Sequence, residues 1–302
     1  MLNTTRLRIL REVAERGTIA AAAAALYLTP PAVSHQLAVL EREVGVPLLE
    51  RTARSVRPTE AGRRLVERAE VILAECEAAV ADAQATAATV SGLVRLSVFQ
   101  TAAQSMALPA LLALRRDHPA LRVLTSDLEP VRAVPALKAG QLDIALSSEW
   151  DFVPVPADAG IDRHDLLSEY AVALLPIGHP LSGGPVRLRD LLGEDWCIAH
   201  ETASSRQAIY RVARSEGFEP RVVFESNYFR AIGSAVEAGL GVGIAPRMTD
   251  LRGLKLAIVP IVEPKLERRI FAAVRKGSGR APAIRAVLDA LATAADHQTE
   301  PE

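Results

Sequence analysis

Residues 18–62 read TIAAAAAALYLTPPAVSHQLAVLEREVGVPLLERTARSVRPTEAG, and this stretch decides the fold of the amino-terminal end. Thr18 can cap a helix whose inner face is Ile19, Ala22, Ala23 and Leu26. Tyr27–Leu28 make a turn, and Thr29 caps the next helix with Pro30 and Pro31 in its first turn, where a missing N–H costs nothing. That helix turns Val33, Leu37 and Leu40 inward and runs to Val44 before Gly45. VPLLERTARSVRPT then reads as two short strands about a turn at Arg54–Ser55. Upstream, Leu7, Leu10, Val13 and Ala14 recur at helical spacing until Gly17 stops the helix. Helix, turn, helix and basic hairpin is an arrangement that lays its second helix in a DNA major groove. The leading edge of that helix carries Thr29, Pro30, Ala32, Ser34, His35 and Gln36. Ser34, His35 and Gln36 can hydrogen-bond bases or phosphates, and Ala32 can touch a thymine methyl. Arg51, Arg54 and Arg57 of the hairpin suit phosphates or the adjacent minor groove.

Thr59 opens a longer helix, with no Gly or Pro between Arg63 and Val90. Roughly 30 residues of helix would span about 45 Å. Leu65, Ile72, Ala79 and Thr86 are spaced by seven, as are Ala69, Cys76, Ala83 and Val90. This a/d seam predicts pairing with the same helix of a second copy, and packing on the chain's own body is the alternative.

The chain has 302 residues, twice the roughly 150 expected of one domain. Its 49% hydrophobic and 24% charged residues exclude a disordered chain. No apolar run approaches the roughly 18 residues of a membrane span, and the charged start offers no signal peptide, so a cytoplasmic protein without membrane partners is expected. The formal net charge of −1 hides a gradient, because residues 1–68 hold 11 Arg against 7 acidic residues. A basic amino-terminal end suits a polyanion. Cys76 and Cys197 are too far apart in sequence for a disulfide framework or a Cys-based zinc site, and no metal-binding histidine spacing occurs.

From Gly92 the pattern becomes strand, helix, strand, helix, strand: LVRLSV, Ala102–Arg116, LRVLTS, Val131–Ala139 and LDIALS. That is α/β grammar, with a parallel sheet and covering helices. After a Pro- and Asp-containing loop over 151–162, AVALLP, WCIAH, RVVFES and GVGIAP read as strands. They alternate with helices at Leu188–Leu191, Arg206–Gly217 and Ala231–Ala238. RRIFAAV and a helix at Ala283–Ala294 close the chain. Two such lobes place a ligand in the cleft between them. Three readings follow: a ligand-responsive DNA-binding regulator, a two-lobed solute-binding protein, or an α/β enzyme with a helical appendage. The missing export signal and the basic head count against the second. The absence of a GxSxG elbow, a P-loop or a clustered His/Asp/Glu set counts against the third. GLGVGIAP does not make a dinucleotide fingerprint, because its glycines enter a strand rather than open a helix.

The run from Leu7 through Ala69 resembles the signature of LysR-type transcriptional regulators. The pieces are Ala22–Ala23, Thr29 through Gln36, Leu40–Glu41, Gly45 with Pro47–Leu48, Glu50–Arg51, and Thr59 with Ala61–Gly62. GQLDIAL, HPL and ESNYFRAIGSAVEAGLGVGIAPR extend the likeness over nearly the whole chain. The resemblance implies a winged helix-turn-helix over 1–58, a dimerisation helix over 59–90 and a periplasmic-binding-protein-like effector domain over 91–302. Lobe I of that domain would comprise about 91–163 and 268–302, and lobe II about 164–267. Mapped onto this sequence, the family's effector pocket falls at Gln100, Thr101, Ser147, Ser148, Thr202, Ser204, Ser205, Asn227, Ile244 and Ala245, flanked by Phe99, Tyr228 and Phe229. Hydroxyl-rich edges and helix N-termini there suit a small carboxylate co-inducer, with no other cofactor. Expected partners are double-stranded operator DNA, that effector and further copies in a dimer or tetramer, with RNA polymerase as another candidate. Departures from the family pattern are Ala20 and Ala21 where polar residues are usual, and Pro30 for a usual Gln. His35 stands for a frequent Arg and Leu49 for a common Phe. They shift the expected base reading onto Ser34, His35, Gln36 and the hairpin arginines. Some relatives sense oxidants through a cysteine pair in the effector domain, and this domain has Cys197 alone.

Overall fold

The computed structural model describes residues 2–51, 55–86 and 89–299, with the side chains of Arg51 and Thr299 outside that description. The head is built from short helices whose ends are fixed by single side chains. Asn3 caps α1 (Thr4–Arg16), and Gly17 ends it with a φ of 71° that only glycine adopts without strain. Thr18 caps α2 (Ile19–Ala25), and Thr29 caps α3 (Pro30–Val44), each accepting the backbone N–H three residues on. Leu7, Leu10, Val13, Val33, Leu37 and Leu40 are buried in one cluster, as their spacing predicts.

The hairpin of β1 (Leu49–Arg51) and β2 (Val56–Pro58) pairs antiparallel, with Glu50 opposite Arg57. It is tied to the helices at two points. Glu41 of α3 accepts the backbone N–H groups of Leu48 and Leu49 at 2.8 and 3.2 Å. Thr59 caps α4 (Glu60–Gln84) and donates its hydroxyl to the Pro47 carbonyl at 2.9 Å. Gly62 completes the knot, since a Cβ there would stand 2.0 Å from the Leu48 carbonyl oxygen.

Helix α4 ends at Gln84, short of Val90. The cause is local: the β-branched residues Thr86, Thr89 and Val90 are weak helix formers, and the Thr86 hydroxyl bonds the Ala83 carbonyl instead of extending the helix. The seam divides as a result. Ala69 is buried in the head cluster, with Leu65 and Ile72 packed beside it, so these three serve the chain's own core. Cys76, Ala79 and Ala83 remain exposed together with Val80.

The effector half opens with β3 (Gly92–Val98) and a continuous helical run over 100–117. The run comprises α5 (Gln100–Ala102), a π-helical bulge (Ala103–Ala107) and α6 (Leu108–Asp117). There follow β4 (Leu121–Asp127), α7 (Pro130–Lys138), β5 (Ile144–Trp150) and β6 (Ile161–Pro176). Lobe II holds β7 (Val186–Arg187), a 3-10 turn (Leu188–Leu191), β8 (Asp195–Ile198), α8 (Ser204–Ser215) and β9 (Arg221–Glu225). It continues through α9 (Phe229–Glu237), β10 (Val242–Pro246) and β11 (Leu256–Glu263). β12 (Glu267–Arg275) and α10 (Pro282–Thr299) return to lobe I.

The strands run β4-β3-β5-β12-β6-β10-β8-β9, with β11 also on β6. β6 is the shared element. Its residues 161–170 pair with β12, and residues 171–176 pair with β10 and β11. The crossing therefore falls at Tyr170–Ala171, later than the 163/164 boundary expected from sequence. The lobe I core gathers β3, β5, β12 and α10 around Leu96, Ile144, Leu146, Ile270 and Leu291. That of lobe II gathers around Trp196, Ile198, Ile244 and Ile261.

Head and lobe I meet at a cluster of charges. The Lys138 ammonium lies 2.7 Å from Glu15 of α1, 2.9 Å from Asp158 and 3.9 Å from Glu70 of α4. Arg11 donates to the Lys138 carbonyl at 2.6 Å. Burial pushes the Asp158 carboxyl up, but the Lys138 ammonium and the Gly160 N–H outweigh it and hold the group below its ordinary value.

Gly62→Ala is expected to lower the stability of the head by about 2 kcal/mol or more, because a methyl group cannot coexist with the Leu48 carbonyl. An earlier unfolding step in urea denaturation checks this.

Candidate functional site

Two sites take shape. The first is the outer surface of α3. Thr29, Pro30 and His35 are exposed, and Ala32, Ser34 and Gln36 are half-buried, while Val33 and Leu37 turn into the core. The helix therefore offers its amino-terminal outer face to a partner. Tyr27, at a φ of 54° in the turn before it, is 80% exposed. Arg42, one heptad after His35, is exposed on the same face, and the amino-terminal reading had passed it over. Arg57 is exposed on β2 of the hairpin, opposite Glu50. Arg54 and the side chain of Arg51 lie outside the described residues.

The second is a cavity of about 60 Å³ between the lobes. Gln100, Thr101, Ser148, Ser204, Ser205 and Asn227 line it, as do Phe99 and Phe229. Four further residues expected there lie elsewhere, three of them by strand geometry. Ser147 alternates with Ser148 on β5 and points to the opposite face. Ile244 and Ala245 belong to β10, flanked by β6 and β8, and fill the lobe II cores. Thr202 stands exposed in the turn before α8. Tyr228 is 63% exposed and also lies off the cavity.

What converges on the cavity is a set of helix starts. Gln100 opens the run over 100–117, Pro130 opens α7, Ser204 opens α8 and Phe229 opens α9, and all four residues line it. Each helix N-terminus carries roughly half a positive charge and unsatisfied N–H groups. Beneath them lies Arg268 of β12, 3% exposed. Its Nε donates to Glu169 of β6 at 2.8 Å, and Nη2 donates to the Thr101 hydroxyl at 3.0 Å. The guanidinium also sits 5.5 and 5.6 Å from the ring centres of Phe99 and Trp150. Burial pulls the Arg268 pKa down and Glu169 offsets it. The other Glu169 oxygen accepts the Met248 N–H at 2.8 Å, so the pair ties both lobes to the crossing strands. Sequence mapping missed Arg268 and Glu129, a second charged lining residue. A larger hollow of about 410 Å³ beside the end of α4 lacks this convergence of helix starts, and the smaller cleft is the better chemical site.

The profile described as the bacterial regulatory helix-turn-helix protein, lysR family, matches residues 4–63, and the LysR substrate binding domain matches residues 87–296. The chain belongs to the LysR family of transcriptional regulators. Among its relatives, a probable HTH-type transcriptional regulator, LrrA, of Synechococcus elongatus is 32% identical, the match covering 100% of this chain and 98% of the relative. A probable hydrogen peroxide-inducible genes activator of Streptomyces viridosporus is 33% identical over 91% of this chain and 89% of its own. A full-length OxyR variant from Pseudomonas aeruginosa shares the fold, with a TM-score of 0.64 and 21% identity over 96% of this chain and 95% of its own. As a LysR-type regulator the chain joins a DNA-binding head to an effector-binding domain, and its relatives regulate transcription rather than catalyse reactions.

Within the effector domain of this LysR-type chain the cysteine chemistry is quiet. Cys197 is fully buried on β8, and burial, with Asp195 nearby, pushes its thiol up to about 11. A thiol so raised holds little of the reactive thiolate at neutral pH. Cys76 stands on α4, outside the effector domain. Cys197 is expected to resist N-ethylmaleimide and hydrogen peroxide in the native protein and to react after unfolding, as peptide mass spectrometry would read.

Proposed function

We propose that this LysR-type regulator reads operator sequence through Ser34, His35 and Gln36, and that a small carboxylate held between the lobes controls it. The observation that carries the effector reading is the meeting of helix N-termini over Arg268, which favours an anion. For DNA, the support is the outward face of α3 together with the exposed Arg57 of the hairpin.

The exposed stripe of Cys76, Ala79, Val80 and Ala83 on α4 is the surface through which we would pair two copies. A two-fold dimer would present two heads to half-sites about one helical turn apart. Contacts between effector domains would extend this to a tetramer, acting in the cytoplasm with RNA polymerase. No helix among the described residues is long and apolar enough to cross a membrane. A ligand that favours one lobe arrangement would shift the heads by its differential affinity for the two states.

Replacing both His35 and Gln36 by alanine is expected to weaken binding to DNA from upstream of the coding region by roughly tenfold or more in a gel-shift assay at fixed salt. Unchanged affinity would defeat the base-reading assignment. Arg57→Ala should instead weaken binding to all duplexes alike and reduce the salt slope by about one. For the effector, thermal unfolding of the full-length protein is expected to shift upward with simple carboxylates, and no shift with any of them counts against the cleft reading.

A further inference from the structure

The charges lining the cleft do not all suit a plain anion. Arg268 is spent only in part: Nε and Nη2 are bonded, and among the described residues Nη1 has no hydrogen-bond partner. The Gln100 amide oxygen Oε1, also in the lining, is buried without a partner among the described residues and calls for a donor. Arg268 Nη1 and the Ser204 and Ser205 N–H groups at the start of α8 form an incomplete shell for a carboxylate.

Glu129 has the opposite sense. It precedes Pro130 at the start of α7, lines the same cavity, and among the described residues its carboxylate has neither an ion pair nor a hydrogen bond. Surrounding protein and the nearby Asp127 push its pKa up, as befits an acid without a cation beside it. A second carboxylate on the ligand would be repelled here, while an ammonium group would satisfy it. Glu169 already neutralises Arg268, so Glu129, solvent-exposed on one side, is the lining acid with no cation beside it among the described residues, set against helix ends worth roughly half a positive charge each. A ligand carrying both signs fits this pattern best.

We propose that the effector is an α-amino acid, its carboxylate taken by Arg268 Nη1 and the start of α8, and its ammonium group by Glu129 and the Gln100 amide oxygen. This rests on the carboxylate reading of the cleft and adds the amine. Glu129 is then the residue that separates amino acids from other carboxylates. Because Arg268 and Glu169 belong to the two crossing strands, a carboxylate drawn to Arg268 also loads the hinge.

The test is isothermal titration of the full-length protein with each of the protein amino acids, then with simple carboxylates. For every amino acid that binds, its 2-hydroxy and des-amino analogues follow. At least one amino acid is expected to bind, with its analogues weaker by roughly tenfold or more. Glu129→Gln, at an exposed position where the fold should tolerate it, is expected to remove most of that difference while leaving the analogues within about twofold. Analogues that bind as tightly as the amino acid, or carboxylates that bind while every amino acid is silent, overturn this inference and leave the carboxylate reading standing. Silence from both classes overturns the two together. A Glu129→Gln variant that keeps the full amino-acid preference overturns the role given to Glu129.

Discussion

The buried pair of Arg268 and Glu169 is the interaction on which the effector half depends. Each residue lies on one of the two strands that cross between the lobes, and neither could be left alone there. A single charge buried this deeply is strongly destabilising, and a pair is tolerated when its remaining hydrogen bonds are filled. Glu169 fills its second oxygen with the Met248 N–H, and Arg268 adds the Thr101 hydroxyl. The pair thus joins β6, β12, the first helix of lobe I and the chain after β10. Anything that competes for Arg268 acts on all four at once.

The head obeys a different constraint, set by backbone geometry. Glu41 and Thr59 accept or donate across the chain that leads into the hairpin, and Gly62 lets α4 approach the Leu48 carbonyl. Recognition helix, hairpin and long helix therefore move as one body. The charge cluster around Lys138 then brings that body against lobe I, through Glu15 and Glu70 on one side and Asp158 on the other.

Much of this was legible in the residues. Caps at Thr18, Thr29 and Thr59, stops at Gly17 and Gly45, and apolar spacing at Leu7, Leu10, Val33 and Leu37 are local signals, and the helices follow them. Strand and helix alternation gave the two lobes. The signal failed where tertiary partners decide. β6 is sixteen residues long because β12 and β10 pair with successive halves, whereas its charged first half, IDRHDL, lacks a strand pattern. Ser148 faces the cleft and Ser147 does not, a matter of strand parity. Arg268 meets Thr101 across 167 positions, and no spacing rule reaches that far. Polar residues at strand ends marked the cleft's edges, but the charged residues that line it came from the crossing strand and the start of α7.

Under the proposed function, filling the cleft changes how the head holds DNA. The decisive experiment titrates the full-length protein, bound to a fluorescent duplex from its upstream region, with a compound already seen to fill the cleft, at fixed salt. The apparent DNA affinity is expected to change and to level off where the cleft saturates, as reciprocal coupling requires. A DNA affinity that stays flat across full saturation of the cleft would contradict it.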